Sequence, residues 1–302
     1  MVIDTDPGTD DALALWLALG SAELEVRLVT VVGGNAGLAA TLANARAVVG
    51  LSGKAVPVVA GADRPLLGAF APAAQVHGAD GLAGVVLPEG PAARAGVAAD
   101  AIRAALRAAP EAGLTLVGIG PATNLALALA TEPALATRVR EIVLMTGALG
   151  EGNVTPAAEF NAWSDPEALA VLLGCGRPVT LATLETTRQA LCTPERLNAL
   201  RAAPGGRVLR TACEILSRVP PSARHGGRGA PQHDSCAVAW LVAPELFGVR
   251  PVRAAVELGG ASRGRTNIAW LRLAGAANAT WLESLDSNEF FALLGARLGR
   301  LP

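Results

Sequence analysis

Four aspartates crowd the first eleven residues of this chain, and their setting limits what the chain can fold into. Residues 2–3 are typical of the end of a short buried strand, residues 7–8 (Pro-Gly) of a tight turn, and the Ala- and Leu-rich run 12–19 of a helix. Thr9 is the predicted N-cap of that helix. The chain is therefore expected to begin with a strand, a turn and a helix, and it places carboxylates on both sides of the turn, at Asp4, Asp6, Asp10 and Asp11.

Carboxylates this close together repel one another, so a fold holds them only with a strong counter-charge. A hard divalent cation, which prefers oxygen ligands, is the first candidate. The alternative is that the positive end of the helix dipole accommodates Asp10 and Asp11 in the first helical turn. That alternative leaves out Asp4 and Asp6, which lie at the carboxyl end of the strand, where α/β proteins bind their ligands. The pattern favours a metal site.

Length and composition favour one domain that spans residues 1–302. The chain is 51% hydrophobic, which supports a large buried core. No Gly- or Ser-rich linker, composition break or internal repeat divides the sequence.

Several locations and partners are disfavoured. No apolar run reaches the roughly 18 residues that a membrane span needs, and no signal peptide is recognisable, so a cytoplasmic protein without a membrane partner is expected. A net charge of −1 without a basic cluster argues against nucleic acid. The cysteines are widely spaced, which is typical of reduced, buried thiols rather than disulfides or a zinc site: Cys175, Cys192, Cys213 and Cys236.

Strand-like β-branched runs alternate with helical runs, which predicts right-handed βαβ units. The expected fold class is α/β, with a mostly parallel central sheet flanked by helices in a Rossmann-like order. The predicted strands are Leu24–Val32, Val56–Ala60, Leu114–Ile119, Glu141–Met145 and Pro178–Leu184. The predicted helices between them are Leu38–Leu51, Ala98–Ala109, Thr123–Ala130 and Asp165–Leu173. Further on, helices are expected at Pro194–Ala203, Arg207–Arg218 and Ser235–Leu241, strands at Val252–Leu258 and Asn267–Leu273, and a last helix after the cap Asp286.

Other segments place polar residues where a site could form. The run 152–161 holds two asparagines and Glu159, which could bind a polyol or belong to an ordinary solvated loop. His233 and Asp234 precede an apolar helix, as an acid–base pair or as a core histidine beside a helix cap. His77 lies in the glycine-containing run 76–82, where it could line a pocket or make a turn, and Asn35 follows the second strand.

Together these motifs resemble the nucleoside hydrolase family, whose members hydrolyse ribonucleosides to ribose and a free base. The resemblance covers nearly the whole chain. It rests on the ordered motifs Asp4-x-Asp6-Pro-Gly-x-Asp10-Asp11-Ala, Gly34-Asn35, His77-Gly-x-x-Gly-Leu82, Gly120-Pro-Ala-Thr123-Asn124, Glu151-Gly-Asn153, Ala158-Glu-Phe-Asn161 and His233-Asp234-x-Cys-Ala-Val-Ala.

The resemblance implies roles for individual residues. It implies one Ca²⁺ held by Asp6, Asp11, Asp234 and the backbone carbonyl of Ile119, with Asp6 also taking the proton of a Ca²⁺-bound water. It places His233 as the leaving-group acid. Positions that match ribose contacts are Asp10, Asn35, Met145, Asn153, Glu159, Asn161 and Asp234, and positions that match the base-side pocket are His77, Phe160 and His233.

This chemistry suits the residue types, because an N-glycosidic bond breaks through an oxocarbenium-like state whose positive charge a pocket of carboxylates stabilises. By resemblance, the substrate is a small ribonucleoside, the pathway is nucleoside catabolism or purine and pyrimidine salvage, and the assembly is a homodimer or homotetramer.

The chain also departs from the family pattern. It has no tyrosine, although family members commonly carry an aromatic residue in the loop before the His-Asp pair, and it has Thr187-Arg188-Gln189-Ala190 where Thr-His-x-Ala is frequent. The sequence therefore does not indicate purine or pyrimidine preference. His225 or Arg228 are alternative contributors from the 220–232 loop.

Two other functions are weighed against hydrolysis. A phosphotransferase with an aspartyl nucleophile normally recruits a lysine, and the only lysine, Lys54, precedes a strand at the wrong end of the sheet. A paralogue that binds a nucleoside without turnover is the second alternative, which the complete set of acidic residues disfavours.

Overall fold

The computed structural model describes residues 1–71, 80–270 and 275–302. Nine strands of this described chain form one sheet, in the order β10-β9-β11-β6-β5-β4-β1-β2-β3. Their bounds are β1 Val2–Thr5, β2 Leu28–Val31, β3 Val58–Ala60, β4 Leu114–Gly118, β5 Val139–Met145, β6 Val179–Ala182, β9 Phe247–Val256, β10 Thr266–Ala269 and β11 Ala279–Leu285. A separate antiparallel pair joins β7 Leu191–Cys192 to β8 Ala230–Pro231.

The sheet is mostly parallel, as the alternating sequence predicts. All neighbours from β3 through to β11 pair in parallel, whereas β9 and β10 form an antiparallel edge. From β1 the chain first adds β2 and β3 on one side, and it later adds β4, β5 and β6 on the other. The reversal leaves a crevice beyond the carboxyl ends of β1 and β4, which is where open α/β sheets bind ligands.

Helices cover both faces of the sheet. They are α1 Thr9–Leu19, α2 Leu38–Leu51, α3 Ala98–Ala108, α4 Thr123–Thr131, α5 Phe160–Ser164, α6 Pro166–Gly174, α7 Leu184–Thr187, α8 Pro194–Ala202, α9 Arg207–Arg218, α10 Asp234–Val242 and α11 Ser287–Leu298. Successive strand residues point to opposite faces, so Ile3 joins a core with Trp16 and Phe290, whereas Val2 joins a second core with Ile102 and Leu125. The two cores hold β1 from both sides and fix where its carboxyl end lies.

Most predicted elements are confirmed, with several differences. Thr9 is not the cap of α1, because the N-cap is Gly8. The N–H of Gly8 donates to Oδ2 of Asp11 at 2.9 Å, so the side chain that takes part in capping belongs to the first turn of the helix. The second strand is shorter than predicted because residues 22–27 run along the surface. The strands β7, β8 and β11 and the short helices α5 and α7 were not predicted, and β9 begins at Phe247 rather than at the predicted Val252. The predicted strand Asn267–Leu273 is confirmed over Thr266–Ala269, and its residues 271–273 lie outside the described residues. The cap at Asp286 is confirmed by its bonds from the N–H groups of residues 288 and 289.

Within the described ranges, no helix is both long and apolar enough to cross a membrane.

Candidate functional site

A cavity of about 340 Å³ opens at the carboxyl edge of the sheet, over the crevice between β1 and β4. Its sheet side is formed by residues that follow strands or begin the next helix: Asp10, Asn35, Ile119, Met145, Glu159, Phe160 and Asn161. Its other side comes from the loop of residues 219–233, between α9 and α10, and includes Val219, Pro220, Pro221, Ser222, Ala230, Pro231, Gln232 and His233. Two parts of the chain that are distant in sequence therefore meet around one cavity.

Asp6 is fully buried directly after β1, beside this cavity. Its Oδ2 accepts the backbone N–H of Asn35 at 2.7 Å, whereas its Oδ1 has no hydrogen-bond partner among the described residues. A Cβ on Gly34 would lie 2.1 Å from Oδ2 and one on Gly120 would lie 2.5 Å from Oδ1, so both positions require glycine for the carboxylate to fit. The chain holds this carboxylate tightly and leaves one of its oxygens without a bond.

Asp10, Asp11 and Asp234 come together next to Asp6. One carboxylate oxygen from each of the three lies within 4.8 Å of the other two, and all three residues are buried. Asp11 is held by Thr5 Oγ1 at 2.6 Å and by the side-chain amide of Asn35 at 3.1 Å. This is the kind of group that could hold a metal ion, and it joins the start of the chain to a residue more than two hundred positions away.

Burial and mutual repulsion change the protonation of this group. Burial, followed by the charge of Asp11, raises the pKa of Asp6 well above its ordinary value. Burial also raises the pKa of Asp234, and the neighbouring carboxylates of Asp10 and Asp11 raise it further. Without a counter-charge, the fold thus favours the protonated forms, and a bound cation would reverse that preference.

Asp4 does not line the cavity; it lies within β1, two residues before Asp6. It is fully buried in β1, and its Oδ1 accepts bonds from Thr30 Oγ1 at 2.6 Å and from the side-chain amide of Asn124 at 2.9 Å. The same amide donates to the carbonyl of Val31 at 3.1 Å, so Asp4 and Asn124 tie β1, β2 and α4 together. Burial raises the pKa of Asp4 to about 7. These contacts give Asp4 a structural role beside the site.

Glu159 and Asn161 enter the cavity because α5 begins between them. Glu159 is the N-cap of α5: its Oε1 accepts from the N–H of Asn161 at 2.8 Å, and its Oε2 accepts from the N–H groups of Gly147 and Ala162, each at 2.9 Å. The side-chain amide of Asn161 donates to the carbonyls of Ile119 at 3.2 Å and Met145 at 3.0 Å. Burial raises the pKa of Glu159 despite these bonds. The result is a rigid arrangement of acceptors along the sheet side.

His233 is the last residue of the 219–233 loop and the N-cap of α10, directly before Asp234 of the acidic group. Its Nδ1 lies 2.7 Å from the hydroxyl of Thr187, which is fully buried at the end of α7. Because the two ring nitrogens lie on opposite sides of the imidazole, this contact directs Nε2 away from Thr187. The ring orientation is thereby fixed by a residue 46 positions away in sequence.

Arginines join the two loops that border the cavity. Arg224, in the 219–233 loop, donates to the carbonyl of Gly152 at 2.6 Å and pairs with Glu151 at 2.9 Å. Arg188 donates to the same carbonyl at 3.2 Å. Burial, together with the nearby charge of Arg224, lowers the pKa of Arg188. These bonds hold the 219–233 loop against the loop of residues 146–159.

The structure brings together almost every residue named from the sequence. The predicted residues that line the cavity are Asp10, Asn35, Ile119, Met145, Asn153, Glu159, Phe160, Asn161, His233 and Asp234. Asp6 and Asp11 are fully buried beside them. His77 lies outside the described residues. Lys54, which a phosphotransferase would need, is exposed and precedes β3, at the opposite edge of the sheet.

The sequence analysis gave no role to Gln232, and it considered Thr187 only as part of a motif that departs from the family and Arg224 only as part of a loop. The hydroxyl of Thr187 reaches His233 through tertiary packing, for which the sequence carries no local signal. Gln232 directly precedes the His-Asp pair, so its position next to a named motif is the signal that could have found it.

Comparisons with known proteins agree with this architecture. The sequence model of the family described as inosine-uridine preferring nucleoside hydrolase matches residues 1–292. The pyrimidine-specific ribonucleoside hydrolase RihA of Salmonella schwarzengrund is 38% identical over 304 residues, which cover 99% of this chain and 97% of the relative. RihA of Shewanella woodyi is 39% identical over 303 residues, with 99% and 97% coverage. Among solved structures, a purine-preferring ribonucleoside hydrolase from Gardnerella vaginalis has a TM-score of 0.90 at 30% identity, covering 99% of this chain and 97% of that one.

Proposed function

This chain belongs to the nucleoside hydrolase family, and from that premise we propose that it hydrolyses the N-glycosidic bond of ribonucleosides to ribose and a free nucleobase. The observation that carries the proposal is the buried acidic group at the carboxyl ends of β1 and β4. There the unbonded Oδ1 of Asp6 lies beside the grouped carboxylates of Asp10, Asp11 and Asp234, next to a cavity of about 340 Å³.

The donor set of this group fits a hard divalent cation, and we propose Ca²⁺. Every candidate ligand is an oxygen: the carboxylates of Asp6, Asp11 and Asp234 and the carbonyl of Ile119 would hold the ion. Two features support the proposal: the unbonded Oδ1 of Asp6, and the raised pKa of both Asp6 and Asp234. Both features are expected of buried carboxylates that have no positive charge beside them, and a cation would supply that charge. A bound divalent cation supplies positive charge and lowers the pKa of a coordinated water.

Asp6 is the proposed general base. Its Oδ1 is the atom that would accept a proton from the attacking water, since Oδ2 already accepts the N–H of Asn35. The glycines at positions 34 and 120 leave the space that this carboxylate occupies, and the Asn35 N–H fixes the position of Oδ2. A base that is already held in the reactive orientation lowers the activation free energy of proton transfer, because less reorganisation is needed.

The ribose hydroxyls would be bound along the sheet side of the cavity. Asp10, Asn35 and Asn161 present a carboxylate and two amides there, and Glu159 Oε1 accepts one hydrogen bond from within the described protein, which leaves capacity for a hydroxyl. Developing positive charge on the ribose would be stabilised by the same carboxylates, because charge interactions strengthen in a buried cavity.

His233 is the proposed acid for the departing base. Because its Nδ1 faces Thr187, the proton would be donated from Nε2, and the contact with the Thr187 hydroxyl keeps the ring in that orientation.

The proposal is tested by a reducing-sugar assay with purine and pyrimidine ribonucleosides and a phosphomonoester, run beside calorimetric binding of the same compounds. Hydrolysis predicts ribose release from at least one ribonucleoside and no phosphate release. Binding without ribose release would indicate a binding protein, and phosphate release would indicate a phosphatase; either result would overturn the proposal.

A further inference from the structure

The two sides of the cavity differ in chemistry. The sheet side carries the carboxylates and amides that the proposed function assigns to ribose and metal. On the loop side, the residues between 219 and 232 that line the cavity are uncharged, and most of them are proline, valine or alanine. Two polar side chains interrupt this apolar surface, Ser222 and Gln232. An apolar surface suits the faces of a flat heterocycle, and a polar group within it can select among heterocycles by hydrogen bonding.

Gln232 is held firmly and yet lacks one bond. Its backbone N–H donates to the carbonyl of Ala190 at 2.9 Å, and its carbonyl accepts from the thiol of Cys236 at 3.2 Å. The residue belongs to the cavity lining and is 2% exposed. The side-chain Nε2 donates to the carbonyl of Pro231 at 3.3 Å, whereas Oε1 has no hydrogen-bond partner in the part of the chain that the structure describes.

A buried acceptor without a partner is rare in folded proteins, because its bonds to water are lost and nothing replaces them. Gln232 departs from this rule at a position beside His233, where the proposed function places the departing base. A ligand that brings a hydrogen-bond donor to this position would satisfy the acceptor.

We propose that Gln232 determines base specificity by accepting a hydrogen bond at Oε1 from the ring N–H of a lactam nucleobase. This inference rests on the proposed function and extends it to a substrate class. Uracil and hypoxanthine carry such an N–H next to a carbonyl, whereas cytosine presents an acceptor at the corresponding ring nitrogen, which would face Oε1 unfavourably. The selection therefore follows the hydrogen-bonding edge of the base rather than its size.

The test combines a change of the Gln232 side chain with substrates in which a methyl group replaces the hydrogen of the ring N–H. The kcat/KM of the wild type is measured for uridine against 3-methyluridine and for inosine against 1-methylinosine, because each methyl group replaces the proposed donor. Sites built around a substrate N–H discriminate strongly against analogues that lack it, so the wild type is expected to prefer uridine or inosine by about tenfold or more.

Gln232→Met keeps the length of the side chain and removes its acceptor. It is expected to lower kcat/KM for the unmethylated substrates by about tenfold and to change the methylated ones by less than about threefold, so that the preference shrinks. Gln232→Leu repeats the measurement with a different packing. The thermal midpoint of both variants should stay equal or rise, because an unsatisfied buried acceptor is removed. Ser222→Ala, at the other polar position, is the matched control and should alter both members of each pair by the same factor.

Equal losses on methylated and unmethylated substrates in Gln232→Met would show a purely structural role and overturn the inference. The inference would also be overturned if the wild type had the same kcat/KM for 3-methyluridine and for uridine. Ribose release from the unmethylated substrates tests the proposed function separately. If no substrate is turned over, calorimetric binding of the same pairs to wild type and Gln232→Met gives the comparison without catalysis.

Discussion

At the scale of single residues, Asp4 and Asp6 each have one carboxylate oxygen without a hydrogen-bond partner in the described structure, Asp4 Oδ2 and Asp6 Oδ1. Asp11 is bonded by a hydroxyl, a backbone N–H and an amide. The two unbonded oxygens differ in their surroundings: Asp4 lies within β1 and its other oxygen is bonded to the side chains of Thr30 and Asn124, whereas Asp6 follows β1 and lies next to the carboxylates of Asp10 and Asp11. That position makes Asp6 the carboxylate best placed to accept a proton from a water at the acidic group.

Asp6→Asn should retain the fold and lose kcat by about 100-fold to 10,000-fold, because positioned acid–base groups contribute that much to rate. Turnover of a ribonucleoside and the far-ultraviolet circular dichroism spectrum are measured together. Asp4→Asn is the matched control two residues earlier. Its amide oxygen can accept the same bonds from Thr30 and Asn124, so kcat should stay within about threefold of wild type. A kcat of Asp6→Asn close to wild type would exclude Asp6 as the base.

Residue types and their place in motifs predicted the members of the site but not their bonds. The sequence named Asp6 and Asp11 from their place around the first turn, whereas the resemblance to the family supplied Ile119 and the metal role of Asp234. It did not indicate that the Thr187 hydroxyl meets His233, or that Gln232 is left with an unbonded acceptor. Those contacts are set by the packing of α7 against the 219–233 loop, which depends on the whole tertiary structure. His77 was also named, and its place relative to the cavity stays a prediction.

At the scale of elements, two loops close the cavity and an arginine holds them together. Arg224 joins the 219–233 loop to Gly152 and Glu151 in the 146–159 loop. The ion pair is partly exposed, so by itself it stabilises the protein little. The bond to the Gly152 carbonyl matters more here, because the 146–159 loop leads into Glu159 and the 219–233 loop leads into His233 and Asp234.

Arg224→Ala should raise KM for a ribonucleoside by about threefold to tenfold, because the loops lose the bonds that hold the cavity closed. The thermal midpoint should change little. Arg218→Ala is the control: Arg218 also pairs with a glutamate, Glu214, and donates to a backbone carbonyl, that of Gly84, but it does not bridge these two loops. An unchanged KM in Arg224→Ala would show that the loops stay closed without this contact.

Helices with long apolar periodicity were predictable from the sequence, whereas the short helix α5 and the interrupted strand β11 were not. Helices α2 and α9 were predicted with the bounds that the structure shows, since each extends over three turns or more. The helix α5 has five residues, too few for a periodic pattern, and its start depends on the capping by Glu159. The strand β11 was missed because Glu283 and Ser284 interrupt its apolar pattern near the antiparallel edge.

At the scale of the whole molecule, the buried acids make stability depend on pH and on metal. Burial raises the pKa of Asp4 to about 7 and also raises the pKa of Asp6, Glu159 and Asp234. In the metal-free protein the folded state therefore binds these protons more tightly than the unfolded chain, whose aspartates titrate near 3.8. The resulting stabilisation is fully present below the unfolded pKa and is lost as pH rises towards and beyond the folded values.

The chelator-treated protein should therefore have a lower thermal midpoint at about pH 7.5 than at about pH 5. Added Ca²⁺ should raise the midpoint most at the higher pH, where the carboxylates are free to bind it, and a concentration 100 times Kd would contribute about 2.7 kcal/mol. Asp4→Asn should make the pH dependence of the metal-free protein shallower, since one of the titrating groups is removed. A midpoint that rises between these pH values after chelation would contradict the assigned pKa shifts.

The most direct test of the central claim compares uridine and inosine with their 2′-deoxy counterparts, by measuring reducing sugar released by the calcium-loaded and the chelator-treated protein. The account predicts ribose release from at least one ribonucleoside, loss of that activity on chelation with recovery on adding Ca²⁺, and a rate at least about a hundredfold lower for the 2′-deoxy compound, because buried groups that bind the missing hydroxyl are left unpaired. Equal rates on the ribo and deoxy compounds, or full activity without metal, would contradict it.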